Sequence, residues 1–202
     1  EECVTAFVPT NKNVICDFSG EQIHAITSDM IEFYSGDRKC KVKVDSSTRY
    51  IINNRLELGY NMANELVADE SVVVRTIDNN EDEVADVVFV YDYTDCIVEA
   101  VSVETNTISF EAGFMYNKTK SIKLDEDEDI NFEIMDAKGN DITVADLQAG
   151  DIVSIAMSKD KKFVRVVKGT NPVEGVIVGR DGDYITIDDI EYVMGDTMAN
   201  DN

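Results

Sequence analysis

Asp151-Ile-Val-Ser-Ile-Ala-Met157, followed by Lys162-Phe-Val-Arg-Val-Val167, is the stretch on which the fold turns. Val164 and Val166, set against Arg165 and Val167, give the period-two alternation of a half-buried antiparallel strand. The same β-branched texture returns in Ser71–Ile77, Asp86–Tyr93, Ile97–Val103, Thr107–Phe110, Val173–Val178 and Asp183–Ile187. Asn, Asp, Gly and Lys turns separate these runs at spacings of roughly ten residues, the rhythm of sandwiches and small barrels. Two segments, Asn61–Leu66 and Val144–Leu147, read as single helical turns. The pattern predicts an all-β chain of tandem small antiparallel modules, barrel-like or sandwich-like, with isolated helical turns.

Internal repetition refines this picture. Val98-Glu99-Ala100-Val101, then Asn106-Thr107-Ile108-Ser109-Phe110, resembles Val173-Glu174-Gly175-Val176, then Asp183-Tyr184-Ile185-Thr186-Ile187. A third copy is read at the start, in Glu2-Cys3-Val4-Thr5 and Asn13–Phe18, which sets Ile15, Ile108 and Ile185 at equivalent places. Tyr50–Asn53, Asn64–Leu66 and Ser71–Val74 lead to Val87–Val90. In the same order, Phe132–Met135, Ala145–Leu147 and Asp151–Ser154 lead to Val164–Val167. The expected organisation is a module over 1–94, a repeat of it over 95–170, and the first strands of a third over 171–202. Closing such modules removes exposed strand edges, and strings of them serve reach, rigidity or multivalency.

Composition narrows the chemistry. Asp and Glu number 41 against 18 Lys and Arg, for a net charge of −23. That balance disfavours nucleic acid and anionic bilayers as partners and favours cations or cationic surfaces. Hydrophobic residues make up 44% of the chain, too many for a disordered acidic tail. No apolar run reaches the roughly 18 residues of a spanning helix, so no membrane insertion is expected. The chain opens Glu1-Glu2-Cys3, which suggests a piece cut from a longer polypeptide. With His24 as the single histidine, any Ser-His-Asp or Cys-His arrangement would have to run through it. Cys3, Cys16, Cys40 and Cys96 lack zinc-like spacing and read as free thiols or one incidental bridge rather than a disulfide framework. No phosphate-binding glycine loop, HExxH or GxSxG occurs, and Asn117-Lys118-Thr119 is a formal glycosylation sequon.

The stretch Ile77–Thr94 is similar to a segment of clostridial cell-surface proteins that carry S-layer homology repeats. Ser121–Asp129, Asp146–Ala156 and Pro172–Ile177 follow in the order those proteins show, so the resemblance covers about residues 48 to 194. It implies an exported protein of a Gram-positive anaerobe, extracellular at the cell surface or cell wall, with signal and anchoring domains outside this chain. The family brings no defined activity for this region. Where it tends to have Asp-Gly after the Ile-Asp-Asn run, this chain has Asp82-Glu83.

One metal site is a candidate. Asp78, Asn80, Asp82 and Asp86 carry the D-x-[DN]-x-D spacing of a Ca²⁺ loop, in which alternate side chains turn inward and a carbonyl near Val84 adds a ligand. Against it, Glu83 stands where such loops have glycine, and no Glu occupies the twelfth position. The alternative is an ordinary acidic hairpin turn, and the corresponding turn Ser158–Lys162 is basic. His24, in an alternating stretch, reads as a strand residue, and the acidic run Asp125–Asp129 as a solvated turn. Tyr91, Tyr93, Phe110, Phe114 and Tyr116 would make a sugar platform if exposed, whereas strand packing would bury them. The expected function is a non-catalytic extracellular spacer or interaction module, with no cofactor required, Ca²⁺ as the one candidate ion, and cell-wall polysaccharide or surface proteins as candidate partners. A glycan-binding or glycan-processing accessory domain is the alternative; the latter would need a pair of carboxylates that the sequence does not single out.

Overall fold

The structure, a computed structural model, describes residues 14–69, 71–113, 119–125, 129–169, 175–182 and 184–193. Cys3, Val4, Thr5, Phe114, Tyr116, Asn117, Lys118, Val173, Glu174 and the interior of the 125–129 run lie outside the described residues. The chain is all-β, and it divides into two compact units, 1–93 with 157–163, and 94–156 with 164–202.

The first unit opens with β1 (Val14–Ser19), β2 (Ile23–Ile26), β3 (Met30–Ser35) and β4 (Arg38–Lys43). It continues with β5 (Arg49–Ile52), β6 (Arg55–Leu56), the single turn α1 (Met62–Glu65), β7 (Val72–Asp78) and β8 (Val87–Asp92). β2, β3 and β4 form an antiparallel meander, and the other strands form a five-stranded sheet in the order β1-β7-β8-β5-β6. All its described pairings are antiparallel except β5 with β8, which is parallel. Both sheets contribute to one core, as in a sandwich: Phe18 of β1 stacks on Phe33 of β3 at 4.1 Å, and Ile31, Val74, Val88, Met62 and Leu66 close around them. Aromatic stacking plus apolar burial is the main favourable term here. Gly20, in the short 3₁₀ turn Gly20–Gln22 between β1 and β2, is required by close approach. A Cβ there would lie 2.0 Å from the Asp69 carbonyl oxygen.

The second unit contains β9 (Thr94–Ser102), β10 (Thr107–Gly113), β11 (Thr119–Lys123) and β12 (Asn131–Asp136). A 3₁₀ turn at Val144–Asp146 precedes β13 (Ile152–Met157) and β14 (Phe163–Lys168), and β15 (Ile177–Asp181), β16 (Tyr184–Ile187) and β17 (Ile190–Val193) follow. The sheet order is β11-β10-β9-β13-β14-β12, with β15, β16 and β17 as a separate meander. Val98, Ile108, Phe110, Leu124, Val153, Ile155, Val164 and Val166 are each at most 2% exposed. Their alternation along the strands is the period two visible in the sequence.

The two units share a strand plan. Each has a meander, then a middle strand, a helical turn and a hairpin; the hairpin's first strand pairs with an opening strand and its second lies beside the middle strand. The repeat register differs from the expected one at its first copy. Ile108 and Ile185 do occupy middle strands of their meanders, but the residue so placed in the first unit is Ile31 of β3. Ile31 and Ile108 are both fully buried, whereas Ile15 lies on β1, is 50% exposed and pairs with Ile77. Val14–Phe18 and Met30–Phe33 both alternate, so period two alone does not choose between them.

Candidate functional site

The loop from Asp78 to Asp86 joins β7 to β8 and holds all four residues of the calcium candidate. Asp78, 8% exposed, anchors it: Oδ1 accepts the N–H groups of Asn80 (3.0 Å) and Glu81 (2.8 Å), and Oδ2 that of Glu83 (3.0 Å). Asn80 Oδ1 accepts from the Asp82 N–H at 2.9 Å, and Asp82 Oδ1 accepts from the Val84 N–H at 2.9 Å. Three successive Asx turns therefore wind the loop, each side chain capping the backbone two residues on. Asp86 reaches back, its Oδ2 accepting the Asn79 N–H at 2.7 Å.

Glu81 and Glu83 sit in the left-handed region, at φ 63° and 69°. The glycine missing from the motif is thus replaced by a residue that adopts its backbone. The strain of about 1 kcal/mol is offset by the bond from the Glu83 N–H to Asp78. Lys43 Nζ, 2.9 Å from Glu83 Oε2, holds the Glu83 carboxyl below the usual carboxylate range. On the other flank the Thr48 hydroxyl donates to the Ala85 carbonyl at 2.7 Å. Both Asp78 oxygens and one oxygen each of Asn80, Asp82 and Asp86 are engaged by backbone donors, and among the described residues no group of three or more His, Cys, Asp or Glu side chains is arranged to hold a metal ion.

The same economy of acids recurs at other turns. The Ser47 hydroxyl and N–H hold the Asp45 carboxyl below its ordinary range, and the Asn140 side chain and N–H do so for Asp136. Asp146 accepts the N–H and hydroxyl of Thr143, each at 2.8 Å, and is lowered in the same way. These carboxylates build turns.

The remaining candidates are dispersed. His24 lies exposed on β2, edge-on to Tyr34 at 5.4 Å. Phe110 is 1% exposed and belongs to the core, and Tyr91 and Tyr93 are half-buried and stacked on each other at 6.1 Å. Sequence reasoning missed a cleft of about 620 Å³ bordered by β1, β4 and the β7–β8 loop, where Cys16, Cys40 and Lys41 share the lining with Asp78, Glu81 and Glu83. Its signal was present as charge: Arg38, Lys39, Lys41 and Lys43 fall within one six-residue strand of an acidic chain. No helix among the described residues is long and apolar enough to cross a membrane. The chain matches no protein-family model, and no curated protein matches it either.

Proposed function

We propose that this chain is a non-catalytic β-repeat segment of an extracellular, cell-wall-associated protein, acting as a structural spacer or interaction module. The observation that carries this reading is the placement of its polar chemistry. Carboxylates that a hydrolase would converge on a cleft instead cap the turns at Asp45, Asp78, Asp136 and Asp146. The aromatic rings that a glycan-binding face would display are in the core at Phe110 and mutually stacked at Tyr91 and Tyr93. Partners on this reading are wall polysaccharide or neighbouring surface proteins, met through the shape and charge of the module surfaces.

A screen of wall polysaccharides and common glycosidic substrates tests it. The expected result is no release of reducing sugar and no saturable binding of short oligosaccharides. Turnover, or a saturable site lost when Tyr91 or Tyr93 is changed to Ala, would replace the spacer with the glycan-directed alternative.

Calcium at Asp78, Asn80, Asp82 and Asp86 is the accessory part of the reading. A hard cation there would staple the β7–β8 hairpin and offset part of the −23 charge. Calorimetric titration to millimolar Ca²⁺ should give one site, weakened by Asp82→Ala. A flat titration would leave the loop as a self-closed turn and the spacer reading unchanged.

A further inference from the structure

β1 is the outer strand of the five-stranded sheet and β4 an outer strand of the three-stranded sheet, and one cleft is lined by both together with the β7–β8 loop. Cys16 on β1 and Cys40 on β4 both line this cleft, and both pack against the same buried cluster. The framework that sets them there runs through the core. Phe18, two residues along β1 from Cys16 and so on the same face, stacks on Phe33 at 4.1 Å. Phe33 in turn stands directly opposite Cys40 in the β3–β4 register. The aromatic stack thus ties β1, which carries Cys16, to β3, and β3 pairs along its length with β4, which carries Cys40. Both cysteines are free and half-buried, whereas Cys96 is buried within the second unit.

We propose that Cys16 and Cys40 form a disulfide that closes the cleft and ties the β1 edge to the β4 edge. The oxidant is a low-molecular-weight disulfide such as glutathione disulfide. One cysteine thiolate attacks it, giving a mixed disulfide and one glutathione thiol; the second thiolate then displaces the other glutathione. Two protein thiols become one S–S bond, and two glutathione thiols carry away the electrons and protons. Bridging closes a loop in the unfolded chain and so lowers its conformational entropy. An oxidising environment for the bridge in life follows from the extracellular reading above. The exchange in vitro depends on geometry alone, so its failure and the failure of that reading are distinguishable.

The test is exchange of the full chain with glutathione disulfide at pH 8.5, chosen because burial holds the Cys16 thiol up. The expected product has lost two hydrogens. Trypsin then releases Asn13–Arg38 linked to Cys40-Lys41. Its melting temperature should rise by about 10 °C, return on adding dithiothreitol, and show no rise in Cys40→Ser. Stable glutathione adducts on both Cys16 and Cys40 with no linked peptide would overturn the proposal. So would predominant linkage of Cys16 to Cys3 or Cys96.

Discussion

Ile31→Ala should lower the stability of the first unit by about 3 kcal/mol in denaturant titration, while Ile15→Ala stays within about 1 kcal/mol of the unaltered chain. Ile31 is fully buried in the cluster that also holds Phe18, Phe33 and Val74, so truncation removes buried methyl groups and leaves a cavity. Ile15, half-exposed on an edge strand, loses mainly a cross-strand contact with Ile77. Ile108→Ala should act in the second unit as Ile31→Ala does in the first, since Ile108 is equally buried on the corresponding strand. A larger loss from Ile15→Ala than from Ile31→Ala would overturn the shared strand plan.

Asp78→Ala should cost about 2–4 kcal/mol. It removes the acceptor for three backbone N–H groups, at Asn80, Glu81 and Glu83, inside a loop whose left-handed residues depend on those bonds. The loss is graded by chemistry. Asp78→Asn keeps a carbonyl oxygen for Asn80 and Glu81 and gives up the bond from Glu83, so it should fall near 1 kcal/mol. Asp82→Ala, which frees one N–H in an exposed turn, should cost no more than about 1 kcal/mol. Urea titration of the three variants in EDTA checks the order. Equal stability of Asp78→Ala and the unaltered chain would show that the Asx turns do not hold the hairpin.

Much of the fold was legible because alternation and turn residues are local. The strands around Val74, Val88, Ile108 and Val164 announce themselves in five or six residues each, and Asn61–Leu66 and Val144–Leu147 are helical turns as read. Register over long distances was not legible. Ile15 and Ile31 sit in equally alternating strands, and the choice between them is made by the stack of Phe18 on Phe33, which only the fold brings about. The parallel pairing of β5 with β8 is likewise a product of topology. In the candidate loop the spacing of Asp78, Asn80 and Asp82 was readable, and so are the Asx turns it forms. The left-handed backbone at Glu83 was not, because side-chain identity argued for glycine while hydrogen bonding to Asp78 decided otherwise. Cys16 and Cys40 are far apart in sequence and converge only because two sheet edges border one cleft.

A spacer must keep its length under tension, and single-molecule pulling of the full chain between inert handle domains measures this directly. The account predicts discrete, reproducible unfolding steps, each releasing tens of nanometres of chain at about 3.4 Å per residue. Smooth, stepless lengthening at low force would contradict it, because a segment that yields continuously cannot hold two parts of a surface protein at a fixed reach.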